Sequence, residues 1–394
     1  MRILCLDGFA AQGLLPYVRA VSTSARDPGA HGPRVTLAFL LYNAAAGVAG
    51  LVESLVGQRH PSIEKQADWL EAVFVDDASS DGTVREVRAA LAGLGHPPHC
   101  RLVAHSHNLG LAGTLNELFA QAQTPFVLTC HLDCRFGSDR YVASMLELIE
   151  RHPEAAAITG QPTLLPEARL PFAEKLNVVA NLMDVVPGSE TAELVPVGFA
   201  EGRCDVFRAS ALRAVGLYDT RLRVSGEDQV LAAKLWAKGY AIYKAPRLEY
   251  HLSVSGEQDS VSKLLRHQRL FGRTTPYILF AVPGSVGGLV GPHAGANRTR
   301  RALLRATQLG GSAAYAIVLV SLLAGWPAWL WGGVLGLVAA AKLALQARHA
   351  RAVRFSAGEW LAFAALQPAF DLAYTAGLLE GLWQLVRGRS RPID

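Results

Sequence analysis

Four short runs of strand-forming residues alternate with amphipathic helical patterns in the first half of the chain. The runs are VTLAFLLY at 35–42, EAVFVD at 71–76, RLVAHS at 101–106 and PFVLTCHLD at 125–133. Strands that alternate with helices are typical of βαβ units, in which neighbouring strands pair in parallel. The pattern predicts an α/β fold with a mostly parallel sheet flanked by helices, and we expect the mixed stretch up to residue 255 to complete the sheet.

The second run continues into a cluster of hydrogen-bond acceptors, VFVDDASSDGT. Asp76 and Asp77 follow the predicted strand directly, at the edge where open α/β sheets bind ligands. Ser80 or Asp81 could instead only cap the helix that follows. A calcium loop starting at Asp77 is excluded, because Arg88 stands where that loop needs a bidentate glutamate.

Five segments in this order resemble the motifs of family 2 glycosyltransferases, which have the GT-A fold. They are LLYNAA at 40–45, VDDASSDGT at 75–83, NLGLAGTLN at 108–116, HLDCR at 131–135 in the DxD position, and SGEDQVLAAKLWAKGY at 225–240. The resemblance covers about residues 35–255. It implies a GT-A domain that binds a nucleotide-diphosphate sugar and inverts the anomeric centre by direct displacement.

The resemblance also implies which residues hold the donor. A strand-end carboxylate such as Asp76 can accept the ring N–H of a pyrimidine, and the backbone of Tyr42 and Asn43 can line the base pocket. The diphosphate concentrates negative charge, so we expect a divalent cation, Mn2+ or Mg2+, between it and the carboxylates. The other implied donor-site residues are Asp77, Ser79, Asn108, Gly110, His131 and Asp133.

The DxD position departs from the family pattern, since it reads His131-Leu132-Asp133. In the favoured register, Asp133 is the metal-facing acid and His131 takes the place that faces the ribose. In the other register, Asp133 is the first acid and Arg135 the second, which puts metal binding in doubt. His251 falls where many family members supply a further metal ligand, and a buried core histidine is the competing interpretation.

A base is needed to take the proton from the acceptor hydroxyl. The stretch GLYDTRLRVSGED at 216–228 resembles the family's approach to its catalytic aspartate. Asp228 is therefore the expected general base, and Glu227 is expected to bind or orient the acceptor. Capping of the following helix is the alternative role for both acids. The segment RHQRLFGR at 266–273 lacks the Gln-x-x-Arg-Trp pattern of processive synthases, which favours the addition of a single sugar.

The composition changes after residue 305. From Ala306 to Ala341 there are 36 residues without a charge. One membrane span needs about 20 residues, so this length predicts a helical hairpin, with its turn near GWP at 325–327. The apolar stretch from Trp360 to Val386 is interrupted by acids, including Asp371, and could span, re-enter or lie at the interface.

The charge and the cysteine content indicate the cellular compartment. The chain has 38 basic and 33 acidic residues, a formal net charge of +5, and Arg clusters after Asn297 that indicate a membrane surface rather than nucleic acid. Five cysteines without a repeating framework favour a reduced, cytosolic face. Zinc at Cys130, His131 and Cys134 is disfavoured, because no second Cys or His pair follows. The N-terminal residues show no cleavage pattern, so no signal peptide is expected.

Together these patterns predict four regions. They are an N-terminal arm and linker at 1–34, the GT-A domain at 35–255, a juxtamembrane segment at 256–305 and a C-terminal α-helical transmembrane region at 306–394.

The expected function is non-processive sugar transfer to a lipid-linked or cell-envelope glycan acceptor, at the cytoplasmic membrane with the catalytic domain facing the cytoplasm. A polyprenyl-phosphate glycosyltransferase and a non-catalytic nucleotide-sugar-binding member of a glycan synthesis complex are the alternatives.

Overall fold

The computed structural model describes residues 32–164, 170–183, 185, 191–222, 225–252, 260–280 and 297–387. Its first four strands are β1 Val35–Leu41, β2 Leu70–Asp76, β3 Cys100–Ala104 and β4 Phe126–His131. They lie in the order β3-β2-β1-β4 and pair in parallel. Almost every residue of β1 and β2 is buried, as expected of parallel strands covered on both faces. These strands match the four runs predicted from the sequence.

Five further strands extend the sheet beyond β4 within the described residues. They are β5 Cys134–Phe136, β6 Ala155–Leu164, β7 Val195–Pro196, β8 Asp205–Arg208 and β9 Ala241–Leu252. The order continues as β4-β8-β6-β9-β5, and β7 pairs with β9. β8 runs antiparallel to both β4 and β6, so the sheet is mixed.

Seven helices flank the sheet in the described part of this region. They are α1 Val48–Val56, α2 Thr83–Gly93, α3 Gly110–Gln121, α4 Tyr141–Arg151, α5 Phe172–Ala180, α6 Ala209–Ala214 and α7 Glu227–Ala237. Leu115 and Phe119 of α3 and Leu231 of α7 belong to one apolar core, whereas Leu51 of α1 and Met145 of α4 belong to another. The two cores cover the two faces of the sheet.

Within the described residues, four long helices follow the sheet domain. They are α8 Val261–Phe280, α9 Asn297–Leu323, α10 Ala328–Ala352 and α11 Ala357–Val386. The break between α9 and α10 coincides with the hairpin turn predicted at 325–327. α8 and α11 approach closely through glycines, since a Cβ added at Gly377 would lie 1.9 Å from the Arg269 carbonyl oxygen. Among the described residues, the segment Ala302–Leu323 is the only helix long and apolar enough to cross a membrane.

Asp371 lies inside the C-terminal helices rather than at their surface. Its carboxylate pairs with Lys342 of α10 and accepts a hydrogen bond from the Tyr315 hydroxyl at 3.0 Å, and both charged side chains are almost fully buried. A buried charge needs such a partner, because an isolated one is costly to desolvate. This pairing places the Asp371 carboxylate inside the protein, and the helix that carries it, α11, is continuous from Ala357 to Val386.

Candidate functional site

The carboxyl ends of the central strands bring the predicted donor residues to one edge of the sheet. The last residue of β1 pairs with Asp76, and its neighbour Leu40 pairs with His131 of β4. The segments after these strands therefore start side by side. Tyr42 follows β1 with 53% of its surface exposed, so its ring is accessible at this edge.

The loops after β1 and β2 are joined by hydrogen bonds into a single rim. The Asn43 N–H donates to the Ser79 hydroxyl at 2.9 Å, and the Ala45 N–H donates to the Asp81 carboxylate at 3.1 Å. Asp81 also accepts the N–H of Thr83, the first residue of α2, at 2.9 Å. Asp81 therefore bonds both to the start of α2 and across the rim, while the N-cap residue of α2 is Gly82, without a side-chain cap. Asn43 and Ser79 shape the rim through these bonds.

Asp76 lies beneath the rim with an unused acceptor. The residue is 1% exposed, and its Oδ2 accepts the Ser79 N–H at 3.1 Å. Its Oδ1 is buried and has no hydrogen-bond partner among the described residues. Buried carboxylate oxygens are rarely left without a donor, since desolvation is then not compensated. The arrangement therefore suits a ligand that donates a hydrogen bond at this position.

Asp77 turns away from the rim and fixes the start of α3. Its carboxylate accepts the N–H groups of Leu109 at 2.7 Å and Gly110 at 2.9 Å, and lies 3.0 Å from Nδ1 of His105. The Asn108 amide donates to the Asp77 carbonyl at 3.1 Å. These residues connect β2 to α3, and their contact with the donor stays a prediction. Sequence reasoning missed His105, which stands three residues before the predicted motif that begins at Asn108.

The His131-Leu132-Asp133 triplet occupies the turn between β4 and β5. The His131 N–H donates to the Arg203 carbonyl at 3.0 Å, while its Nε2 is buried without a hydrogen-bond partner in the described chain. Burial lowers the pKa of His131, and the Asp133 charge opposes this shift. The Arg203 guanidinium pairs with Glu201 at 3.3 Å. Burial acts to lower the pKa of Arg203, but the charges of Glu201 and Asp133 outweigh it and raise that pKa.

The predicted metal ligands form a partial set. β5 and β9 place His251 opposite Arg135, and the His251 Nδ1 lies 2.9 Å from the Thr163 hydroxyl. No group of three or more His, Cys, Asp or Glu side chains able to hold a metal occurs in the described residues. Mg2+ and similar cations in nucleotide sites take one or two carboxylates and complete their shell with phosphates and water. Asp133 fits such a limited role, and a full protein cage does not fit.

The cysteines near this turn are buried thiols. Cys204, which sequence reasoning did not include, lies with its sulfur 3.9 Å from that of Cys130. Burial raises the pKa of Cys134 to about 12 and raises that of Cys204 as well. Both thiols are therefore held in the protonated form at neutral pH.

The candidate base lies at the start of α7. Gly226 precedes the helix with a φ of +89°, a left-handed conformation that favours glycine. Glu227 is buried, and Asp228 is partly buried with its Oδ1 accepting the Gln229 N–H at 2.7 Å. Burial raises the pKa of Tyr218 well above its usual value, and the charges of Glu227 and Asp228 add to that shift.

Residues 38–170 match the sequence profile of the family described as Glycosyl transferase family 2. This part of the chain is a family 2 glycosyltransferase domain. Its fold resembles that of a mannosyltransferase, PcManGT from Pyrobaculum calidifontis, solved in complex with GDP-Man and Mn2+, with a TM-score of 0.53. That match is 18% identical and covers 90% of this chain and 88% of the other. The GT-A fold expected from the sequence motifs is confirmed.

A curated relative is the N-acetylglucosaminyl-diphospho-decaprenol L-rhamnosyltransferase of Mycobacterium tuberculosis, found in two strains. This chain is 26% identical to it over 230 residues, which are 51% of this chain and 72% of the relative.

Proposed function

We propose that this glycosyltransferase moves a single sugar, with inversion, from a nucleotide-diphosphate sugar to a lipid-linked or cell-envelope glycan acceptor. The family 2 domain supports sugar transfer as the reaction class. The relative named as an N-acetylglucosaminyl-diphospho-decaprenol L-rhamnosyltransferase supports a lipid-linked acceptor. The absence of the Gln-x-x-Arg-Trp pattern from 266–273 supports single addition.

The observation that carries the donor assignment is the buried, unpartnered Oδ1 of Asp76. A uracil or thymine base presents a ring N–H that can donate to this oxygen, and the exposed Tyr42 lies at the same edge. A bound nucleotide would satisfy the one acceptor that the rim leaves open. The diphosphate would then extend toward His131 and Asp133, which follow the neighbouring β4.

The proposed chemistry assigns one task to each acid. Asp228 accepts the proton from the acceptor hydroxyl as the oxygen attacks the anomeric carbon, and Glu227 orients that acceptor. The nucleoside diphosphate leaves from the opposite face of the sugar carbon. Asp133 would hold a Mn2+ or Mg2+ ion, with His251 nearby on β9. When bound, that cation supplies charge neutralisation for the departing diphosphate.

The C-terminal helices support association with a membrane. The segment Ala302–Leu323 has a mean hydropathy of 1.5 and is long enough to span a bilayer. Large apolar side chains also face outward from α9 and α10, including Leu319, Leu323, Trp329 and Leu337. Arginines flank the apolar run on both sides, and positive residues concentrate on the cytoplasmic side of membranes. Among the described residues only α9 is apolar enough to span by itself. We propose that α10 returns beside it, with Lys342 paired to Asp371, so that both ends and the catalytic domain lie in the cytoplasm.

Labelling of single cysteines in intact cells tests this topology. A cysteine at position 326, in the turn between α9 and α10, is expected to react with an impermeant probe from outside. A cysteine at position 348, near the end of α10, is expected to react only after the membrane is opened. External reaction at 348 would contradict the proposed membrane hairpin.

A transfer assay with the purified full-length chain tests the function. The donors are UDP-, GDP-, dTDP- and CDP-activated sugars with Mn2+, and the acceptors are N-acetylglucosaminyl-diphospho-decaprenol and decaprenyl phosphate. A product one sugar heavier on the diphospho-linked acceptor, with inverted configuration by NMR, is expected. Sugar on decaprenyl phosphate alone selects the polyprenyl-phosphate alternative. If the wild type neither transfers sugar nor hydrolyses the donor, the result supports a non-catalytic binding role.

A further inference from the structure

Asn116 is the last residue of the motif NLGLAGTLN, and the donor site does not account for it. It lies on α3, and both polar atoms of its side-chain amide form hydrogen bonds to one residue of the loop before α7. Its Nδ2 donates to the Tyr218 carbonyl at 2.9 Å, and its Oδ1 accepts the Tyr218 N–H at 2.8 Å. The two bonds span 102 positions in the sequence. One amide therefore fixes both polar groups of a single loop residue.

The same loop segment is also held from α7. Lys234, two turns after Glu227 on that helix, donates its ammonium to the Leu217 carbonyl at 2.9 Å. Leu217 has a φ of +60°, which few residues other than glycine adopt. Such a conformation persists when surrounding contacts fix it. The Asn116 and Lys234 bonds on adjacent residues provide that constraint.

These contacts connect the donor rim to the candidate base. The first residue of α3, Gly110, donates its N–H to Asp77, which directly follows Asp76 at the end of β2. Further along the same helix, Asn116 holds the backbone of Tyr218, and Phe119 packs on its ring at 6.2 Å between centroids. The Lys234 bond to Leu217 ties the residue next to Tyr218 to α7, and Asp228 is the second residue of that helix.

We propose that Asn116 is a positioning residue that sets the distance between the bound donor and the Asp228 base. It acts through the Leu217–Tyr218 segment, and Lys234 transmits the same constraint to α7. The inference rests on the proposed function, since it requires Asp228 to act as the base. Loss of the Asn116 bonds would leave the donor site intact and allow the first turn of α7 to shift relative to the anomeric carbon.

The test compares Asn116→Ala, Asn116→Asp and Lys234→Met in the full-length chain. The reaction is the transfer described above, with kcat and the donor KM measured separately and UDP and dTDP binding measured by calorimetry. Misplacement of a reacting group by about 1 Å can cost about 100-fold in rate, so kcat is expected to fall by about 10- to 100-fold. Nucleotide affinity is expected to stay within about threefold of the wild type. Gln121→Ala is the matched control, because that amide bonds within α3 to Glu117.

A double variant separates positioning from general loss of stability. Because Asn116 and Lys234 hold the same segment, Asn116→Ala combined with Lys234→Met is expected to lose less in kcat than the product of the single losses. Asn116→Asp can still accept the Tyr218 N–H but cannot donate to the Tyr218 carbonyl. It therefore tests the role of these two bonds if the alanine variant does not fold. Normal kcat in the Asn116 variants, or a weaker nucleotide affinity at unchanged kcat, overturns the inference.

Failure of the proposed function has a different signature. Near-normal transfer by Asp228→Asn would show that Asp228 is not the general base, and the positioning inference would fail with that assignment. An absence of any transfer by the wild type would refute both as well. If the wild type transfers sugar, Asp228→Asn does not, and the Asn116 variants behave as the wild type, only the positioning inference fails.

Discussion

Replacement of Asp76 by asparagine is expected to change nucleotide binding rather than folding. Oδ2 of Asp76 accepts the Ser79 N–H, and its buried Oδ1 has no hydrogen-bond partner in the described residues. Asparagine has nearly the same volume, and its amide oxygen can still accept from Ser79. The position of Oδ1 is then taken by an NH2 group, which donates instead of accepting. A uracil or thymine ring N–H would meet another donor there.

The size of the effect follows from the type of hydrogen bond. A bond to a charged group contributes about 1.5–3 kcal/mol, and about 1.4 kcal/mol corresponds to a tenfold change in affinity. UDP and dTDP are therefore expected to bind Asp76→Asn about 10- to 100-fold more weakly than the wild type. CDP carries a ring nitrogen acceptor at the same place, so its affinity is expected to rise in the variant. Titration calorimetry with the three nucleotides measures both changes.

The control is Asp68→Asn. Asp68 is an exposed aspartate just before the amino end of β2, whereas Asp76 stands at the carboxyl end of the same strand. The control variant is expected to bind all three nucleotides as the wild type does. If Asp76→Asn folds normally and keeps its UDP affinity within about twofold, with an unchanged ratio of UDP to CDP affinity, Asp76 does not read the base.

Three other substitutions test the remaining parts of the site. Asp133→Asn is expected to abolish the increase in nucleotide affinity caused by Mn2+, whereas His131→Ala only weakens it; calorimetry with and without Mn2+ decides, and an equal increase in the Asn variant contradicts the register. Asp228→Asn is expected to keep nucleotide binding and lose about 100-fold in turnover, measured by sugar transfer.

Burial, with the charges of Arg305 and Arg203, lowers the pKa of His267 from 6.5 to about 4. The unfolded chain then binds a proton that the folded chain rejects, so stability is lost as pH falls from 6.5 to 4. The difference corresponds to about 3 kcal/mol. Urea unfolding of the wild type against His267→Gln checks it, since the variant lacks this loss.

The sheet and the donor edge could be predicted because local patterns determine them. The apolar runs that form β1 to β4 are almost continuous in β1 and β2, and such runs occur where both faces of a strand are covered. Once those strands are parallel, their carboxyl ends must meet, which brings Asp76 and His131 to one edge. The direction of each pairing beyond β4 has no comparable local pattern, and the antiparallel β8 could not be assigned from its four residues.

The residues that sequence reasoning missed act across long separations. His105 contacts Asp77 from the next strand, and the Arg203 carbonyl accepts the His131 N–H although 72 positions separate the two residues. Asn116 was visible as the last residue of a recognised motif, but its partner Tyr218 lies in another motif. A motif shows which residue type stands at a position. It does not show which backbone group that residue will reach.

In the C-terminal helices, the sequence likewise does not show which partner a charged residue will contact. In the sequence, Lys342 ends the uncharged run and Asp371 interrupts the next apolar stretch, so both read as boundaries of apolar segments. In the structure they neutralise each other inside the helices, and neither reaches the surface. A lone charge in an apolar helix predicts a partner, because desolvation without one is costly, but it does not identify that partner. The outward faces of α10 and α11 are therefore set by side chains such as Leu337 and Leu372, not by the positions of the two charges. Predictions of the membrane boundary must follow those exposed apolar side chains.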